Sequence, residues 1–222
     1  MSVWTIVPVK PFTRAKSRLA SVLSQSERVE LAEKLLRHTI TTVQQVSEIT
    51  GVLVISRDNK ALAVAREAGA HTVQESGTPE LNHALMRATQ VVQAWRGGAV
   101  LILPADLPLV TPEDLRDVVR EGTEGRSVVI APDRARDGTN ALLVRPAGLI
   151  AYSYGPGSFE RHIALAHQAQ ARLHIVEAQR LMLDIDVPAD LDLYRQYRDA
   201  SYPEALDLPG APAPSSPVTP AG

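Results

Sequence analysis

Ala99-Val-Leu-Ile-Leu-Pro-Ala-Asp-Leu-Pro-Leu-Val110 is the stretch on which the fold turns. Five aliphatic residues, Ala99 to Leu103, run without a polar break and stop at Pro104. An apolar run of that length, closed by proline, marks a strand buried on both faces, as in parallel sheets covered by helices. Asp106 follows at once, between Pro104 and Pro108, just past the strand's carboxyl end. That edge is where open α/β sheets bind ligands. A carboxylate delivered there suits a hard cation such as Mg²⁺. An aspartate also bonds its own backbone readily and serves proline-flanked turns. On this stretch alone both roles stand.

The pattern repeats upstream. Val3 to Val9 reads as a first strand, followed by a basic loop that holds Lys10, Arg14, Lys16 and Arg18. Ser24 and Glu27 have capping-box spacing, and the apolar residues from Val29 to Val43 recur at helical intervals. Gly51 to Ser56 is a second strand, Asp58 caps a short helix that ends at Gly69, and His71 to Gln74 is a short third strand. A polar loop, Glu75 to Pro79, leads into a helix from about Glu80 to Trp95. Downstream, Thr111 and Pro112 open a helix. Ser127 to Ala131 and Asn140 to Val144 are close enough to form an antiparallel pair. Tyr154-Gly-Pro-Gly-Ser-Phe159 feeds a helix that reaches about Ala169. Arg172 to Val176 is a late strand, and Ala189 to Tyr197 a last helix.

Strand–helix alternation predicts one three-layer α/β/α domain with a mostly parallel central sheet over residues 1–200. Residues 201–222 turn to Pro, Ala and Ser and read as a disordered tail. The 222 residues include no cysteine, which excludes disulfides, thiolate metal sites and cysteine nucleophiles. A formal charge of -2 gives no footprint for nucleic acid or a membrane surface. No run approaches a membrane span, and the start lacks a signal-peptide core. A cytoplasmic protein is the resulting expectation, and a homodimer is compatible with it.

Several chemistries drop out. No G-x-x-x-x-G-K-[ST] loop, G-x-G-x-x-G turn or H-E-x-x-H helix occurs. Three features can converge instead: the basic loop after the first strand, the strand-end carboxylates Asp106, Asp184 and Asp186, and the Gly155–Ser158 turn at a helix start. Free N–H groups at a helix start favour an anion. Cations, metal-ligating carboxylates and an anion hole together describe a polyphosphate site.

The residues now become recognisable. Pro8-Val-Lys10, Ala15-Lys-Ser-Arg-Leu19, Leu81-Asn-His-Ala-Leu85, Pro104-Ala-Asp-Leu-Pro108, Asp137-Gly-Thr-Asn-Ala-Leu142, Tyr154-Gly-Pro-Gly-Ser-Phe159 and Leu183-Asp-Ile-Asp-Val-Pro-Ala-Asp-Leu191 follow one another in family order. The chain resembles the 2-phospho-L-lactate or phosphoenolpyruvate guanylyltransferases of deazaflavin coenzyme F-420 synthesis. These have the nucleotide-diphospho-sugar transferase (GT-A-like, Rossmann-like) fold. Each motif alone is weak; seven in order are specific. The wider superfamily has a glycine-rich first loop, whereas no glycine lies between Met1 and Gly51 here.

The resemblance implies transfer of GMP from GTP to the phosphate of a small phospho-acid, with release of pyrophosphate. Phosphoenolpyruvate is favoured as acceptor. It implies Mg²⁺ on Asp106 and Asp186, with Asp184 a lesser candidate, and triphosphate binding by Lys10, Lys16 and Arg18. It places the acceptor on Thr139, Gly155 and Ser158, gives Asn82 a share in guanine recognition, and hands the product to the next enzyme of the pathway. Arg161 and His162 are candidates to lend charge. The rival readings are a cytidylyl- or molybdopterin-nucleotide transferase of the same fold and a non-catalytic nucleotide-binding module.

Overall fold

In a computed structural model, which describes residues 2–77, 80–202 and 205–209, a seven-stranded sheet runs through the centre of the molecule. In chain order the elements are β1 (Val3–Val9), α1 (Gln25–Gln44), β2 (Ile49–Ser56), α2 (Asn59–Glu67), β3 (His71–Gln74), α3 (Leu81–Ala94) and β4 (Ala99–Ile102). Then come α4 (Pro112–Glu121), β5 (Ser127–Pro132), β6 (Thr139–Arg145), α5 (Ser158–Gln168), β7 (Arg172–Ile175), α6 (Gln179–Met182) and α7 (Pro188–Ser201). The short helix α6 has no counterpart in the sequence expectation.

The strand order is β3-β2-β1-β4-β6-β5-β7. The pairs β1–β2, β1–β4, β2–β3 and β5–β7 are parallel, and only β6 runs against its neighbours β4 and β5. The expected antiparallel pair is therefore present. From β1 the chain steps one way to β2 and β3, then returns to the other side of β1 for β4. This reversal is a topological switch, and it opens a crevice at the carboxyl ends of β1 and β4. The reversed β6 brings its first residue, Thr139, to that same edge.

The all-apolar strands follow from two covered faces. Side chains alternate along a strand. Val52 and Val54 meet Leu36 and Ile40 of α1 and Ala61 and Ala65 of α2 on one face. Leu53 and Ile55 meet Leu85, Ala88 and Val92 of α3 on the other. Helix starts are capped where expected: Ser24 and Glu27 form the predicted capping box, Asp58 caps α2, and Thr111 caps α4, where Asp114 completes a second reciprocal box.

A third apolar cluster joins Leu19, Leu31 and Leu35 to Leu183, Ile185, Leu191 and Tyr194. Leu208 is 3% exposed within it, and Tyr194 Oη donates to the Leu206 carbonyl. Ordered packing thus continues past the expected boundary at residue 200, because Leu206 and Leu208 interrupt an otherwise polar and proline-rich composition. The rest of the expected tail, residues 203–204 and 210–222, lies outside the described residues. Among the described residues no helix is long and apolar enough to cross a membrane.

Candidate functional site

A groove of about 370 Å³ lies along the carboxyl ends of β3, β2, β1 and β4. Its floor and walls include Pro8, Ile55, Leu81 and Ala84; Lys10, Lys16, Asp106 and Asp186 line the β4 side. A wider depression of about 730 Å³ follows the outer surface of α1, away from the strand ends, and carries mixed charges.

At the head of the groove three charges meet. Lys16 Nζ donates to Asp106 Oδ2 at 3.1 Å and to Asp186 Oδ1 at 3.2 Å. The Lys16 side chain is only 9% exposed. Its backbone is left-handed, with φ 53°, and this aims the side chain inward from a loop wound into short 3₁₀ turns. Burial acts to strip the proton from Lys16, but the Asp106 and Asp186 carboxylates outweigh it and hold its pKa above the ordinary lysine value. Arg18 stands outside, 3.9 Å from Asp186.

The two aspartates come from remote parts of the chain, and backbone bonds fix their separation. Ile185 N–H donates to the Asp106 carbonyl, which ties the two loops together. The Asp190 carboxylate accepts from the backbone N–H groups of Asp186 and Val187 at 2.9 and 2.8 Å. Asp184 sits deeper: burial first, and then the Asp106 and Asp186 charges, push its carboxyl up to about 6. Asn140 Nδ2 donates to the Leu181 carbonyl at 2.9 Å and to Asp184 Oδ1 at 3.4 Å. Among the described residues no three acidic or histidine side chains form a ready-made metal cage. Two carboxylates at the head of a groove instead suit Mg²⁺ when oxygens of a ligand complete its shell.

Across β4 lies a second cluster. Thr139 is 5% exposed, Ser158 1% and His162 not at all. Ser153 N–H donates to His162 Nε2 at 3.0 Å, so the ring proton is on Nδ1 and is donated to Thr139 Oγ1 at 3.0 Å. Ser158 Oγ donates to the same Thr139 oxygen at 3.3 Å. Thr139 thus receives two hydrogen bonds and keeps its own proton to donate. Burial, and after it the Arg161 charge, depress His162 to about 4, so the ring is neutral at pH 7. Gly155, at φ 119°, and Gly157, at φ 71°, take backbone conformations that side chains disfavour, and they turn the loop onto the start of α5.

Charged loop, carboxylate pair and glycine turn therefore share one edge of one sheet. A family model described as "Guanylyl transferase CofC like" matches residues 3–194. The chain belongs to this family. A phosphoenolpyruvate guanylyltransferase of Rubrobacter xylanophilus is 40% identical over 191 residues, covering 86% of this chain and 92% of that protein. One from Conexibacter woesei is 37% identical over 197 residues, covering 88% of each. Among solved structures, a putative nucleotide-diphospho-sugar transferase from Desulfovibrio desulfuricans superposes with TM-score 0.74 at 15% identity, over 92% of both chains. A nucleotidyl transferase from Methanothermobacter thermautotrophicus gives 0.65 at 18%, over 88% of this chain and 97% of that one. These likenesses show the nucleotide-diphospho-sugar transferase fold, and the family makes the chain a nucleotidyltransferase.

Within this CofC-like guanylyltransferase, Asn82, expected as a guanine contact, bonds a neighbouring loop. Its Oδ1 accepts from Tyr154 N–H at 2.7 Å, and its Nδ2 reaches the Tyr154 carbonyl at 3.5 Å. It clasps the glycine turn to α3. Arg161 clasps the same turn from outside, donating to Ser153 Oγ at 2.7 Å and to the Ser153 and Gly155 carbonyls. His162, expected as a candidate to lend charge, instead stays neutral in its buried place and orients Thr139. Its neighbour Thr139 lies 23 positions away, and no local spacing signals that pairing.

Proposed function

We propose that the enzyme transfers GMP from GTP to the phosphate of phosphoenolpyruvate, releasing pyrophosphate. The observation that carries this reading is the Lys16-bridged pair Asp106 and Asp186 at the head of the groove, with the Thr139–Ser158 cluster facing it across β4. The chemistry needs little more than alignment and charge. The acceptor's phosphate is largely a dianion at pH 7. One of its oxygens forms the new bond to the α-phosphorus of GTP as the bond from that phosphorus to the departing pyrophosphate breaks. No proton must be removed, so no general base is required.

The protein's work is to bring two anions together. Coulomb repulsion between unit charges about 4 Å apart is about 4 kcal/mol at an effective dielectric near 20, and it multiplies with polyphosphate charge. Lys10, Lys16 and Arg18 offset it along the triphosphate. Asp106 and Asp186 are the residues that would hold Mg²⁺, which when bound neutralises phosphate charge and polarises the reacting phosphoryl group. Thr139, with its proton free to donate, and the backbone around Gly155 receive the acceptor's carboxylate or phosphate, and Ser158, whose proton goes to Thr139, holds that hydroxyl in place. The product carries a phosphoanhydride, and the next enzyme of the coenzyme F-420 pathway consumes it.

Label transfer from α-labelled GTP, with Mg²⁺ and each of phosphoenolpyruvate, 2-phospholactate and 3-phosphoglycerate in separate reactions, tests the assignment. Phosphoenolpyruvate is expected to accept label fastest. Transfer from CTP but not GTP would overturn the donor, and preference for another acid would overturn the acceptor.

A further inference from the structure

The end of the groove remote from Asp106 holds an acidic side chain that the transfer chemistry does not use. Glu75 follows β3, and its N–H donates to the Ser56 carbonyl at 2.8 Å, so it continues the parallel pairing with β2. Its side chain is 15% exposed and lines the groove with Arg57, Ile55 and Leu81. Arg57 Nε lies 3.1 Å from Glu75 Oε1 but is not angled to form a hydrogen bond. Arg57 Nη2 is committed to the Gly77 carbonyl. The Glu75 carboxylate thus receives compensating charge, yet no described residue gives it a hydrogen bond. The other acid at this end, Glu80, already accepts from the N–H groups of Asn82 and His83 as the cap of α3.

The order β3-β2-β1-β4 puts three strand spacings between Glu75 and Asp106, about 14 Å at about 4.8 Å each. Phosphates held by Lys16 and Asp106 therefore place the base at the Glu75 end, between the apolar walls of Ile55 and Leu81. Guanine presents two adjacent donors there, N1–H and the 2-amino group, which match the two oxygens of one carboxylate. Adenine presents a bare N1 lone pair, which a carboxylate repels. Each carboxylate oxygen has two lone pairs, so the Arg57 ion pair leaves room for both hydrogen bonds.

We infer that Glu75 is the residue that selects guanine, its carboxylate accepting from N1–H and the 2-amino group while Arg57 holds it in place. This rests on the proposed GTP-dependent transfer and deepens it. A buried acceptor without its donor is costly, so rejection of wrong bases is steep.

Steady-state transfer to saturating phosphoenolpyruvate, compared across GTP, inosine triphosphate, xanthosine triphosphate and ATP, tests it. Inosine triphosphate lacks the 2-amino group, and the wild-type enzyme is expected to use it about 10-fold or more less efficiently than GTP. Glu75→Gln presents one acceptor and one donor, which suits xanthine's N1–H and 2-oxo group. Its kcat/KM is expected to fall about 100-fold for GTP and to rise for xanthosine triphosphate, with the KM for phosphoenolpyruvate unchanged. Unaltered nucleotide ratios in Glu75→Gln would overturn the inference and leave the GTP-dependent transfer standing. A wild-type enzyme that uses no GTP at all would overturn the transfer itself. Should Glu75→Gln fail to fold, the wild-type comparison decides, and equal use of GTP and inosine triphosphate overturns the inference.

Discussion

Lys16 carries a formal charge into a space where two carboxylates already converge, and it does so from a strained left-handed backbone. Removing one partner of such a pair costs about 3–5 kcal/mol when both are buried. Asp186 is about half exposed, so the stability at stake here is smaller. Its value is positional: an ammonium held against both aspartates keeps them at one spacing. His162 does comparable work by staying neutral. An unfolded histidine titrates near 6.5, whereas burial holds His162 at about 4. The folded pKa is the lower one, so the stability the neutral ring contributes is complete above pH 6.5 and is lost as pH falls from there to about 4. At about 1.4 kcal/mol per unit this is on the order of 3 kcal/mol. Thermal unfolding at pH 7 and pH 4.5 should show a smaller loss in His162→Asn, which does not titrate, than in the wild type. Equal losses would contradict the neutral-histidine assignment. Single residues of this kind were only partly legible in sequence. Asp106 and Asp186 announced themselves by their place at strand ends beside prolines, whereas the partners of His162 and Asn82 are set by tertiary packing.

At the scale of elements, the turn from Tyr154 to Gly157 is held on three sides: by Asn82 from α3, by Arg161 from α5, and by its own glycine backbone. A Cβ at Gly155 would have room, since it would stand 3.7 Å from Arg161 Nη2. The obstacle is φ 119°, which costs a side chain about 1–3 kcal/mol. Gly155→Ala should therefore raise the KM for the acceptor acid several-fold and leave the KM for GTP unchanged. A matching rise for GTP would place the turn on the wrong substrate. Elements were the best-read level of the sequence. The capping box at Ser24, the helix start at Thr111 and Pro112, the glycine after α2 and the apolar strand runs are local signals, and each appears where the sequence predicts. The helix α6, four residues long, escaped because one turn offers no periodicity to read.

The whole molecule is a sheet with two covered faces and a third apolar cluster behind the carboxylate pair. That cluster unites Leu19 of the basic loop, Leu183 and Ile185 of the Asp184–Asp186 segment, and Leu208 near the end of the described chain. Packing at one end of the sequence thus supports a carboxylate at the site. Leu208→Ala is expected to cost about 2 kcal/mol, roughly 5 °C in Tm for a chain of this size, and to lower kcat modestly through Asp186. Differential scanning calorimetry with a parallel activity assay checks both, and an unchanged Tm would show that Leu208 contributes no packing in solution. Composition alone concealed this, because two leucines in a proline-rich segment look like background until the surface they cover is known.

If transfer occurs at the Asp106–Asp186 pair, removing one carboxylate must cripple it. Pyrophosphate release from GTP, Mg²⁺ and phosphoenolpyruvate, measured for the wild type and for Asp106→Asn of equal Tm, tests it most directly. The carboxylate pair predicts a fall in kcat of about 100-fold or more in the variant. Turnover within a few-fold of the wild type would contradict it.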